Sequence, residues 1–180
     1  MLRIAGAGLI GLALLAGCAR EERITAEDIR AYQLTEDDIT VFIDNYSGIN
    51  KLMREIEKGM DPEQLLKDPY TAFASVQLTP SQKKAVKELG FRSSAEFLKI
   101  VGAITATYSA CAMEKAIEEM RAEMAKDLPG MPPETKAQME KELAEMEAKA
   151  KPEYAVSDHN MELVRKHYDH LTLAITSGLE

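Results

Sequence analysis

The sequence predicts an all-α fold, a single helical bundle from which a charged helical hairpin protrudes. Helix-capping residues recur along the chain, and apolar residues recur at three- and four-residue steps. Alternating Val/Ile/Thr runs and Asn-Gly or Asp-Gly turns, which are typical of sheets, are missing. With 46% hydrophobic and 29% charged residues, the composition is that of a globular protein with a core rather than a disordered chain.

The first predicted elements are a short helix from Thr25 to Tyr32 and a longer one from about Thr35 to Lys58. Thr35 places a hydroxyl before three acidic residues, which suits the positive end of a helix dipole. The longer segment carries apolar residues at helical spacing, which predicts one buried stripe: Phe42, Tyr46, Ile49, Met53 and Ile56.

The next elements begin at proline-containing caps. Asp61-Pro62 and Thr79-Pro80 each place a capping side chain before a proline at the first helical position, with Gln three residues after the cap. Short helices are therefore expected from Pro62 to Leu66, Tyr70 to Gln77 and Pro80 to Leu89. Ser93 and Glu96 form a further capping box, which predicts the start of a long helix over 94–127.

The first half of this long helix is the predicted centre of the bundle. Ile100 to Met113 carries no charge, yet it is too short to cross a membrane. Gly102, Ala106 and Ala110 allow close helix approach, and Cys111 is expected to be a buried small hydrophobe.

A charged hairpin is predicted beyond Glu114. The break at Leu128 to Pro133 separates two heavily charged helical segments, the second running from Glu134 to Ala150. Each segment carries one narrow apolar stripe: Ile117, Met120, Met124 and Leu128 on the first, and Met139, Leu143 and Met146 on the second. The methionines of the two stripes are candidate partner-binding residues, because thioethers pack adaptably. They are Met120, Met124, Met139 and Met146.

One last helix is expected to close the bundle. Lys151-Pro152 should break the chain, and Ser157 or Asp158 should cap the helix that follows. Its predicted buried face holds Met161, Val164, Tyr168, Leu171 and Ile175.

The N-terminus contains Leu15-Ala16-Gly17-Cys18, which follows Arg3 and an uncharged stretch from Ile4 to Leu14. This arrangement resembles the lipobox of bacterial lipoprotein signal peptides. The resemblance implies cleavage before Cys18, whose sulfur and amine would carry diacylglyceryl and fatty acyl groups such as palmitate. Residues 1–17 would then be a cleaved signal peptide, 18–24 a lipidated tether and 25–180 an all-helical periplasmic domain.

The resemblance also implies a location. Ala19 stands where the enterobacterial inner-membrane retention signal has Asp, which favours the periplasmic face of the outer membrane. Loss of residues 1–17 removes Arg3 and no acidic residue, so the net charge changes from −8 to −9. An acidic surface disfavours nucleic-acid binding, and membrane attachment is expected to come from the lipid. An envelope protein is the expected partner.

Histidines supply one alternative function, a small-ligand or metal carrier. His159, His167 and His170 fall on one flank of the last helix at 100° per residue, and His167 and His170, one turn apart, have the spacing of a zinc or copper ligand pair. Glu162 and Asp169 lie well round that helix from the pair. A polar boundary face with no metal and no cofactor is therefore the prediction.

Methionine and a short motif supply the remaining alternatives. Within each helical segment of the second half, neighbouring methionines lie four or seven residues apart, which favours packing over copper(I) ligation. Leu78-Thr79-Pro80-Ser81-Gln82 is similar to the LTxxQ motif of periplasmic stress chaperones, and this resemblance implies a holdase. Those chaperones carry the motif twice, whereas the second copy here, at 34–38, ends in Asp38 instead of Gln.

Catalytic motifs are absent from the sequence. The predicted function is non-enzymatic binding in the cell envelope.

Overall fold

A computed structural model of the chain describes residues 23–60, 68–127, 132–153 and 156–177. This described part contains nine α-helices and no strand, which confirms the all-α prediction. The helices are α1 (Ala26–Arg30), α2 (Glu36–Asp44), α3 (Tyr46–Glu57), α4 (Pro69–Ala74), α5 (Pro80–Glu88), α6 (Ser94–Asp127), α7 (Pro133–Glu153), α8 (Asp158–Lys166) and α9 (Tyr168–Ser177). The lipobox with Leu15, Ala16, Gly17 and Cys18 and the predicted helix over 62–66 lie outside the described residues.

Three helices begin at capping boxes. Thr25, Thr35 and Thr79 each accept a hydrogen bond from the backbone N–H three residues later, and the side chain of that later residue accepts from the threonine N–H. The boxes satisfy backbone N–H groups that have no partner within the helix. The helix starts predicted at Thr35 and Thr79 are confirmed.

Two predicted continuous helices are each divided in two, so both predictions are wrong in this respect. The segment from Thr35 to Lys58 is interrupted at Asn45, whose backbone leaves the helical region and whose Nδ2 donates to Val41 O at 3.0 Å. The last segment is interrupted at His167 in a similar conformation. A short polar side chain such as that of Asn45 competes for backbone hydrogen bonds, which the periodicity of apolar residues does not register.

Other differences concern helix ends. α4 covers 69–74 where 70–77 was predicted. Its start is set by Asp68, which caps it and accepts from Thr71 N at 3.2 Å, and it ends at the C-cap residue Ser75. The expected break at Lys151-Pro152 is wrong, since α7 continues to Glu153. Pro152 is the next-to-last residue of α7, so the one backbone hydrogen bond that it cannot donate lies at the end of the helix.

The first half of α6 is the centre of the core, as predicted. Between residues 100 and 113 only Thr105 is exposed, and α6 packs against α1, α4 and α8. A Cβ at Gly102 would lie 2.9 Å from Ile29 Cγ2, so glycine permits the close approach of α1. Cys111 is 2% exposed, and its burial raises the pKa of its thiol. The prediction of a buried cysteine is confirmed.

Candidate partner-binding hairpin

The hairpin consists of residues 114–127 of α6 and 132–153, which contain α7. Helix α7 packs mainly against α6. Among the side chains that the structure describes here, those that are not exposed are Ile117, Met120, Met124, Met139 and Leu143. These positions recur every three or four residues on each helix. Burial therefore follows the two stripes that the sequence predicts, which indicates that the stripes face each other.

This seam is thin compared with the core. Of its five members only Ile117 is buried, and Met120, Met124, Met139 and Leu143 keep part of their surface in contact with solvent. Three of the four predicted partner-binding methionines thus share one partly accessible seam. The side chain of Met146 is not among those described. Thioethers adapt to irregular partner surfaces, so this seam suits recognition by rearrangement of side chains.

The rest of the hairpin surface is charged. Its 11 acidic and seven basic residues give it a net charge of −4. Lys141 Nζ lies 3.8 Å from Glu145 Oε1, and Gln138 donates to Glu142 at 3.1 Å, both pairs four residues apart. Such exposed pairs stabilise a helix by only about 0.2–0.5 kcal/mol each. Within residues 114–126 and 132–145, every charged residue is exposed to solvent.

The base of the hairpin is fixed to the body by α8 and α9. Arg165 donates to Glu114 at 2.6 Å, and Lys115 Nζ lies 4.2 Å from the ring centre of Tyr168. Tyr168 stacks on Tyr108 with ring centres 5.1 Å apart. These contacts orient the hairpin relative to the bundle without covering its seam.

The three histidines do not form one site. His159 Nε2 lies 2.8 Å from the carbonyl oxygen of Leu34, His167 Nε2 lies 2.5 Å from Glu36 Oε2, and His170 is exposed. The break at His167 also divides the flank that a continuous helix would have provided. Within the described ranges, no group of three or more His, Cys, Asp or Glu residues is arranged to hold a metal ion.

A buried asparagine that the sequence analysis missed joins α8 to the connection between α1 and α2. Asn160 is 1% exposed. Its Oδ1 accepts from Leu34 N at 2.9 Å, and its Nδ2 donates to Tyr32 O at 2.8 Å. The available signal was its position directly before Met161 on the apolar face, where a polar residue needs a partner.

Glu36 strengthens the same junction from the surface. Its carboxylate accepts from Lys166 and contacts His167, and these hydrogen bonds hold the pKa of Glu36 below its usual value, the Lys166 bond most strongly. The LTxxQ-like residues are also structural, because Thr79 and Gln82 form the α5 cap and Leu78 is buried.

A groove of about 1100 Å³ lies where the described chain begins. Its buried floor includes Leu78, Ala95 and Leu98, while Arg23 and Gln77 are exposed at its rim. The groove is lined by Arg23, Ile24, Ala74, Ser75, Val76, Gln77, Leu78, Ser94, Ala95 and Leu98. It is thus an open, amphipathic depression rather than an enclosed ligand cavity.

Comparison with known protein families, with curated proteins and with solved structures gives no match. None of the helices in the described ranges combines the length and the apolar composition that a membrane-spanning helix requires.

Proposed function

We propose that this protein is a lipid-anchored, non-enzymatic component of the cell envelope that binds a protein partner through the hairpin. The observation that carries the proposal is the contrast in burial along α6. Its first half is enclosed by other helices, whereas residues 114–126 of its second half and 132–145 of the hairpin are exposed on either side of a narrow seam rich in methionine.

The physical argument for binding concerns the cost of such an extension. A long charged hairpin with a thin seam adds little to the stability of the body, because few of its apolar groups leave water. A partner that covers Met120, Met124 and Met139 would bury apolar surface that is now partly hydrated. The surrounding charges would set orientation and specificity rather than affinity.

The proposed anchor depends on the Leu15 to Cys18 motif, and mass spectrometry of the purified mature protein tests it directly. We expect an N-terminal peptide that begins at Cys18 and carries diacylglyceryl and fatty acyl groups. An N-terminal peptide that begins at Met1 with an unmodified Cys18 would contradict the anchor.

The hairpin proposal is tested by photo-crosslinking in the native cell. A crosslinking amino acid at exposed Ala122 or Glu140 should yield one protein adduct, and the same group at exposed Lys51 on the body should not. The double variant Met120→Gln/Met139→Gln should weaken the adduct, since a buried amide without a partner is costly. The control Lys136→Gln/Lys141→Gln alters exposed residues and should weaken it less.

A variant without the hairpin gives the result that would contradict the proposal. If a variant that lacks Met120 to Met146 keeps a folded body by circular dichroism and retains every envelope-protein adduct formed by the intact protein, the hairpin is not the binding surface.

A further inference from the structure

Charge is unevenly distributed along the long axis of the molecule. The segment 77–99 contains five basic and two acidic residues and has a net charge of +3, although the chain as a whole is at −8. The basic residues are Lys83, Lys84, Lys87, Arg92 and Lys99. The hairpin, in contrast, has a net charge of −4.

The basic segment frames the groove where the described chain begins. Gln77 and Leu78, which precede α5, and Ser94, Ala95 and Leu98, which follow it, all line this groove together with Arg23 and Ile24. Lys84, Lys87 and Arg92 are exposed, with 79% of the Lys84 side chain and 88% of the Arg92 side chain accessible. The lysines follow the groove residues Gln77 and Leu78 closely in the chain, and Arg23, which also lines the groove, is five residues from Cys18.

Nearby carboxylates reduce this charge, and the excess that remains belongs to α5, which has three lysines and one glutamate. Glu88 lies 3.5 Å from Lys84, and Glu96 accepts from Arg92, both within the +3 balance. On neighbouring elements, Arg30 donates to Asp68 at 3.2 Å, Asp38 acts electrostatically on Arg92, and Asp28 does so on Lys99.

Helix α6 separates the two charged ends. It runs without interruption from Ser94, in the groove, to Asp127, near the tip of the hairpin. At 1.5 Å per residue, these two positions are about 50 Å apart along the helix. The basic segment and the acidic tip are thus at opposite ends of one rigid element.

We propose that the segment 77–99, with the groove it frames, is a docking surface for anionic lipid headgroups of the bilayer. The body rests on the membrane by this end, and the hairpin points away from the membrane toward its partner. The inference rests on the lipid anchor proposed above, which holds the protein at the bilayer; the basic segment sets its orientation. Anionic lipids attract the lysines and repel the hairpin, and this attraction acts only within about 10 Å of the surface at ordinary salt.

Fluorescence energy transfer to the bilayer tests this orientation. The lipidated mature protein is placed on vesicles of phosphatidylcholine alone or with one third phosphatidylglycerol, each containing a headgroup-labelled acceptor lipid. A donor dye is attached at Ala125→Cys near the tip or at Gln77→Cys by the groove, both exposed positions. An acylated Cys18 has no free thiol, and Cys111 is buried.

We expect energy transfer from position 125 to be about twofold lower on the anionic vesicles than on the neutral ones, and transfer from position 77 to be higher. High salt should remove both differences. The double variant Lys84→Glu/Lys87→Glu should also remove them. The matched control is Lys136→Glu/Lys141→Glu in the hairpin, which makes the same change in net charge. Like the test variant, it includes one lysine paired with a glutamate four residues later. This control should preserve the differences in energy transfer.

Failure of the inference and failure of the anchor give different results. Loss of the protein from neutral vesicles, with an unmodified Cys18, would contradict the anchor. Retention on both kinds of vesicle, with transfer from position 125 that neither anionic lipid nor Lys84→Glu/Lys87→Glu changes, would overturn the proposed orientation.

Discussion

The two halves of α6 belong to regions of the molecule that differ in what holds them together. In the body, Phe97 and Ile104 have no solvent exposure and touch a core drawn from most of the other helices. In the hairpin, Met120 and Met124 on the same helix remain partly exposed. Since buried apolar area dominates stability, the difference teaches that the body sets the folding free energy and that the hairpin can be altered without unfolding it.

The largest expected effect comes from replacing Asn160 in the body by Leu. Asn160→Leu leaves Leu34 N–H and Tyr32 C=O buried without partners, so we expect a loss of about 3 kcal/mol in the free energy of unfolding. Urea denaturation followed by circular dichroism measures it.

The hairpin control for this change is Gln138→Leu, which also removes an amide side chain with a hydrogen bond, but at an exposed position. It should change the free energy of unfolding by less than about 0.5 kcal/mol. Equal losses in the two variants would contradict the division into a stabilising body and a dispensable hairpin.

A smaller loss is expected from filling the close contact at Gly102. Gly102→Ala places a methyl group against the stiff, fully buried Ile29, so overpacking should destabilise the body by about 1–3 kcal/mol. Thermal unfolding by calorimetry measures this change.

Gly48→Ala is the matched control for Gly102→Ala. Its new Cβ would meet Leu89 Cδ2, the end of a half-buried flexible side chain. Movement of that side chain should offset the gain of about 1 kcal/mol in helix propensity and leave stability nearly unchanged. A Gly48→Ala variant less stable than Gly102→Ala would show that α6 is not the tightest part of the core.

In the hairpin, Met120→Ala/Met139→Ala should loosen only the seam. The expected loss is local and about 1 kcal/mol, because both side chains are only half-buried. Hydrogen exchange should quicken in residues 114–126 and 133–145, while the protected amides of residues 97–107 keep their rates. Faster exchange in residues 97–107 as well would mean that hairpin and body unfold as one unit.

The smallest effect concerns the pH dependence of the surface contact at Glu36. The pKa of Glu36 is lowered in the folded state, mainly by its hydrogen bond from Lys166, so its stabilising contribution is complete above the unfolded pKa near 4.5 and is lost as the pH falls through the lower folded value. Glu36→Gln should flatten the decline in stability between pH 5 and pH 3 measured by urea denaturation, and Lys166→Gln should flatten it less. If the stability of Glu36→Gln declines as steeply as that of the wild type, the pH dependence comes from other carboxylates.

Local signals in the sequence predicted much of the fold. Thr35 and Thr79 were recognised as caps because a capping box involves residues only three positions apart. The seam of the hairpin was likewise predicted from the spacing of Met120, Met124, Met139 and Leu143. These features depend on neighbours along the chain, so the order of residues contains the information.

The candidate site was predictable only in part for the same reason. The hairpin was recognised from its charge and its breaks, but its fixation by Arg165 and Tyr168 involves residues about fifty positions away. The histidines were placed on one flank under the assumption of a continuous helix. The break at His167 and the separate partners of His159 and His167 remove that arrangement.

The sequence by itself determined the all-α class, the helix starts, the buried half of α6 and the two methionine stripes, because caps and periodicity are local properties. Only the tertiary structure decided that Asn160 bridges Tyr32 and Leu34, that Glu36 pairs with Lys166 and His167, and that the groove lies beside the basic segment. Each of these arrangements joins residues far apart in the chain. Their meeting depends on how helices pack, and no spacing along the sequence specifies it.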